Sequence, residues 1–97
     1  MEIKKELKDN NLVITLEGRL DTSTAPSLEA ELKDLEKVTS LVIDMEKLAY
    51  ISSAGLRVLL KAQKIMNKQG SMLIKNVSQE IKDIFEVTGF DEILNIE

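Results

Sequence analysis

From Leu12 to Leu20 the chain alternates. Leu12, Ile14 and Leu16 point one way, and Val13, Thr15 and Glu17 the other. A period of two over this length is a strand with one buried face. The segment before it, Glu2 to Lys8, reads as a weaker strand. Asp9-Asn10-Asn11 between them is a turn, because Asn and Asp tolerate left-handed backbone, so the pair predicts an antiparallel hairpin. The period then changes. Leu28, Leu32 and Leu35 recur at i, i+4, i+7 behind the capping run Asp21-Thr22-Ser23-Thr24, and Pro26 suits a first helical turn. This predicts a first helix ending near Lys37. Thr39 to Asp44 is an apolar, partly β-branched strand. A second helix is expected from about Ser53 to Asn67, with the core stripe Val58, Leu59, Ala62, Ile65 and Met66, closed by Gly70 as a left-handed cap. Met72 to Ile74 is a further strand. Ser78 caps a third helix with Ile81, Ile84, Phe85 and Thr88 inward, Gly89 stops it, and Ile93 to Ile96 forms a short closing strand or turn. The order is ββαβαβα, an α/β fold. Strand–helix–strand repeats imply parallel pairing, so the expectation is one mixed sheet, first strand antiparallel, packed against helices.

In such sheets binding positions gather at the carboxyl ends of the strands. Two loops leave strands there, Leu20 to Thr24 with Asp21, and Tyr50 to Gly55 with Ser52 and Ser53. If their strands are neighbours, Asp21 lies close to Ser53. A serine at a helix start serves as a cap, or as a place where an added phosphate meets free backbone N–H groups. On residue chemistry alone both readings stand, as does a purely capping role for Asp21. Leu56 and Leu60 fall opposite the core stripe and either form a docking surface beside the serines or pack under a neighbouring helix. Gly55 allows a partner or a neighbouring strand to approach the helix start. Gly18, late in its strand, marks a bulge or a close approach. Asp44 and Glu46 read as strand-end polar residues, and Lys61, Lys64 and Lys68 as a solvated face.

Composition narrows the chemistry. With 97 residues a single domain, 1–97, is expected. There is no cysteine and no histidine, which removes disulfides, thiolate metal sites, the usual catalytic base and a near-neutral pH switch. No nucleophile–base pair and no phosphate-binding glycine loop can be assembled, so neither an enzyme nor a metal or cofactor site is expected. A net charge of −4 with scattered lysines argues against nucleic acid. No apolar run approaches the ~20 residues of a membrane helix, and the amino terminus lacks an apolar signal core. The chain is expected to be cytoplasmic and monomeric when free.

Gly18-Arg19-Leu20-Asp21, the Thr24-Ala25-Pro26 helix start, Leu41-Val42-Ile43-Asp44, Tyr50-Ile51-Ser52-Ser53-Ala54-Gly55-Leu56 and the Thr88-Gly89 stop follow one another in an order that resembles the STAS domain. The resemblance spans nearly the full length and is strongest to single-domain bacterial anti-sigma factor antagonists. It implies a partner switch. The unphosphorylated protein binds an anti-sigma factor that is also a serine kinase, which frees a sigma factor. Phosphorylation of the serine ends the complex, and a serine phosphatase resets it. The family pattern is Asp-Ser-Ser/Thr/Ala-Gly-Leu, which places the modified serine at Ser53 and finds Ser52 where an Asp is usual. Ser52 is then the structural cap and Ser53 faces solvent. The implied partner-binding set is Asp21, Thr22, Ser52, Ser53, Ala54, Gly55, Leu56, Arg57 and Leu60. Competing expectations are an unphosphorylated STAS scaffold or accessory protein of a multi-protein or lipid-transport assembly, and a small-molecule or nucleotide binder at the strand-end cleft.

Overall fold

The computed structural model describes residues 1–97. Its elements are β1 (Glu2–Lys8), β2 (Asn11–Leu20), α1 (Ala25–Glu31), β3 (Ser40–Ile51), α2 (Ser53–Met66), β4 (Ser71–Lys75) and α3 (Gln79–Thr88), followed by a 3-10 turn, Phe90–Glu92. The four strands lie in sequence order in one sheet. β1 pairs antiparallel with β2 across a turn in which Asp9 takes φ 57°. β2–β3 and β3–β4 are parallel. Ile96 adds a parallel bridge to Ile74. Leu12, Ile14, Leu16, Leu41, Ile43, Met72 and Ile74 are buried under the helices, while Val13, Thr15, Val42 and Leu73 on the opposite face stay half-buried. The helices therefore cover one face of the sheet.

β3 runs seven residues beyond the Asp44 at which the sequence places its end. Its buried positions are Leu41, Ile43, Met45, Leu48 and Ile51, so the spacing widens from two to three. Two bulges cause this. Thr15 pairs with Asp44 but Glu17 with Lys47, and Gly18 pairs with Leu48 but Arg19 with Tyr50. Each bulge inserts one residue on β3, which turns a strand period into a helix-like one. Asp44 is thus not a strand-end residue. Its carboxylate accepts the Glu46 N–H and the Asn76 side-chain amide, both at 3.0 Å, and holds the first bulge. Gly18, with φ +108°, sits at the second, as one of the two expectations for it had it.

α1 is shorter than expected, ending at Glu31 and not near Lys37. Leu32, Leu35 and Val38 are still buried, but from turns. The Gln69 side chain, arriving from beyond α2, donates to the carbonyls of Leu35 and Val38, so this loop's backbone is satisfied without a helix. Gly70 is not a left-handed cap, since only Gly18 and Gly89 among the glycines have positive φ. It is required for approach: a Cβ there would lie 1.9 Å from the Thr39 carbonyl oxygen, which accepts the Ser71 N–H. α3 follows expectation at both ends, with Ser78 Oγ accepting from the Ile81 N–H and Gly89 at φ 80°. Of its predicted inward residues, Ile81 and Phe85 are buried, Ile84 is half-buried and Thr88 is exposed.

Candidate functional site

The added length of β3 sets the site. It carries Ile51 alongside Leu20 in the parallel register. The loops that follow both strands therefore leave the same sheet edge, joined by a 2.9 Å bond from the Ser52 N–H to the Leu20 carbonyl. The Asp21 turn and the serine pair are brought together as the chain order implies.

Asp21 is committed to its own turn. Its Oδ1 accepts the Ser23 hydroxyl at 2.7 Å, the Ser23 N–H at 3.0 Å and the Thr24 N–H at 3.2 Å. Thr24 Oγ1 in turn accepts the Asp21 N–H and donates to the Arg19 carbonyl, both at 2.8 Å. No bond joins Asp21 to either Ser52 or Ser53. The Ser23 hydroxyl holds the Asp21 carboxyl below its ordinary value, against the opposing effect of partial burial, with the Ser23 and Thr24 N–H groups adding to it. Asp21 is therefore a fixed anion at the sheet edge. Arg19 lies beside it, Nε 3.9 Å from Oδ2, and stacks over Tyr50 at 4.3 Å from the ring centre. This cross-strand stack was not foreseen in the sequence. Only the bulged register that sets Arg19 opposite Tyr50 reveals it.

The two serines differ sharply. Ser52 occupies the N-cap position of α2 with extended backbone, φ −101° and ψ 175°, and its carbonyl accepts the Leu56 N–H at 3.0 Å. Its side chain, expected to cap the helix, does not. Ser52 Oγ is buried and has no hydrogen-bond partner in the protein. Ser53 is exposed at the first position of the helix. The first turn of α2 contains no acidic residue and no side-chain cap, so its leading N–H groups have no side-chain partner.

Of the remaining predicted site residues, Thr22 and Arg57 are exposed, and Ala54 and Leu60 are half-buried. Leu56 belongs to the core, 4% exposed, and offers no docking side chain. Of its two readings, packing against neighbouring elements holds, and its place in the implied partner-binding set is corrected. The helix is covered by the sheet and also by α1, so its buried surface is wider than one stripe. Gly55 is buried too. A Cβ there would lie 2.7 Å from Leu20 Cγ and 2.9 Å from Ile51 Cγ1, so the glycine admits the strand ends and not an outside partner. No helix of the protein is long and apolar enough to cross a membrane.

Comparison with known proteins fits this geometry. The STAS domain family matches residues 2–97. BtrV of Bordetella bronchiseptica, whose name describes it as a candidate anti-sigma factor antagonist, is 34% identical, covering 99% of this chain and 85% of its own. The anti-sigma-B factor antagonist of Bacillus subtilis is 31% identical, covering 99% and 92%. The fold is shared with the Bacillus cell fate determinant SpoIIAA in its phosphorylated form, at TM-score 0.78 and 20% identity over 99% of this chain and 91% of that one. With a profile match over nearly its whole length and relatives above 30% identity, the chain belongs to the STAS domain family.

Proposed function

We propose that this protein is an anti-sigma factor antagonist that works by partner switching, with Ser53 as its phosphorylation site. The names of its relatives support the antagonist role, and the existence of a phosphorylated form of SpoIIAA supports the modification. The observation that carries the assignment to Ser53 is the contrast at the start of α2, an exposed Ser53 beside a Ser52 whose hydroxyl is buried. A kinase reaches the first and not the second.

In this reading the unmodified protein presents the edge formed by Thr22, Ser53 and Arg57 to an anti-sigma factor that is also an ATP-dependent serine kinase. Its binding releases a sigma factor. Ser53 Oγ then attacks the γ-phosphorus of ATP and gives up its proton, and ADP leaves. The phosphoserine carries about −1.5 to −2 charges. The fold accepts them, because Ser53 opens a helix whose start has no side-chain cap, and the helix dipole favours an anion there. The fixed Asp21 carboxylate on the same edge adds to the negative charge that the partner now meets. The complex dissociates, and a serine phosphatase restores the hydroxyl with water.

The test is incubation of the unmodified protein, Ser52→Ala and Ser53→Ala with the anti-sigma kinase of its own cell and ATP, followed by intact mass measurement. The first two gain one phosphoryl group, while Ser53→Ala gains none and stays bound to the kinase. Phosphate on Ser53→Ala overturns the assignment.

A further inference from the structure

Helices α1 and α2 do not close against each other on their solvent side. Near the serine loop, Pro26 and Ala54 border a cleft of about 300 Å³. It continues along the helices into a hollow of about 150 Å³ floored by Leu32, Val58, Ala62 and Ile65. The ion pair Lys61–Glu29, 3.2 Å, stands between the two and is shared by both. The rim holds three cations, Lys33, Arg57 and Lys61, against the single carboxylate Glu29. This is a positive groove in a chain whose net charge is −4. A cavity of roughly 150 Å³ with aliphatic walls holds a benzene-sized group. The floor therefore fits one leucyl or phenyl side chain, and the rim fits carboxylates.

We infer that this groove seats an acidic segment of the anti-sigma factor, one apolar side chain on its floor, and that the Ser53 phosphate acts by cancelling the groove's positive charge. The inference rests on the antagonist reading above and names the chemistry of the partner at that face. Arg57 lies four residues beyond Ser53 on α2, so the two share a helix face. A phosphate of about −1.5 to −2 charges nearly balances the rim's excess of two cations. An acidic segment then loses its attraction along the whole groove, and not only at the serine. A second copy of this chain is a poorer occupant through the same face, since two such rims carry like charge.

Lys33 separates this idea from the antagonist reading itself. It is exposed, in no ion pair, and at the end of the groove away from the serine loop. Binding of the purified anti-sigma kinase to unmodified protein, Lys33→Glu and Lys33→Arg is measured over a range of salt concentrations. The groove predicts that Lys33→Glu weakens binding by about tenfold, that Lys33→Arg does not, and that the difference shrinks as salt rises. A photo-crosslinking residue at position 33 captures a carboxylate-rich segment of the kinase. Equal binding by all three proteins overturns the groove and leaves the antagonist reading standing. Crosslinking to a second copy of this chain also overturns it. Failure of the unmodified protein to bind any anti-sigma kinase removes both.

Discussion

Ser52 and Ser53 are adjacent in sequence and have opposite physical circumstances. Ser53 is exposed to solvent. Ser52 buries its hydroxyl with no partner, in a position where its backbone alone starts the helix. A buried unpaired polar group costs about 1–3 kcal/mol of desolvation. A serine that capped the helix would instead contribute about 0.5–2 kcal/mol. The two accounts predict opposite signs for Ser52→Ala. The geometry here predicts that the substitution leaves stability unchanged or raises it, read as a denaturation midpoint at or above that of the unmodified protein. A loss of about 1 kcal/mol or more would mean that the hydroxyl finds a partner in solution. The STAS pattern has an Asp at the position of Ser52, where this chain has a neutral hydroxyl. The neutral hydroxyl leaves Asp21, tied into its own turn, as the fixed negative charge of this edge.

At the scale of elements, the start of α2 is positioned by contact with the ends of β2 and β3. Gly55 sits against Leu20 and Ile51, which are 0% and 2% exposed, and a Cβ there would fall within 3 Å of both. Gly55→Val therefore forces overpacking, with an expected cost of about 1–3 kcal/mol. Urea titration checks it, and an unshifted midpoint would contradict the packing. The features legible in the sequence are those decided locally. They are the alternation of β2, the hairpin turn, the Ser78 cap and the Gly89 stop. The arrival of Asp21 and the serines at one edge was also legible, because chain order and parallel pairing suffice for it. The features hidden in the sequence depend on neighbours. Buried residues three apart, as at Met45, Leu48 and Ile51, look helical until the β2 register exposes the bulges. Leu35 continues a helical period that Gln69, 34 positions away, replaces with a turn. The choice between a docking and a packing role for Leu56 is decided only once α1 and the sheet are both in place around α2.

Across the whole molecule, two carboxylates contribute in a known direction to the response to acid. Besides Asp21, Asp44 is held below its ordinary value. Burial pushes its carboxyl up, but the Glu46 N–H, the Asn76 amide and the Lys75 charge together outweigh that. Both groups are thus more acidic in the folded state than in the unfolded one. Their contribution to stability is complete above the unfolded aspartate value, about 3.9, and is lost as pH falls through the lower folded values. With no histidine in the chain, no imidazole adds a transition between these carboxylates and neutral pH. The expected outcome is a melting temperature that holds steady from about pH 7 down to about pH 5 and falls below about pH 4. Asp44→Asn melts lower at neutral pH, where it lacks the carboxylate that holds the β3 bulge, and shows a smaller further fall in acid. Melting curves of the two proteins across this range decide the matter. Parallel acid profiles would mean that Asp44 is no more acidic in the folded chain than in the unfolded one, and that the bulge is held by backbone pairing alone.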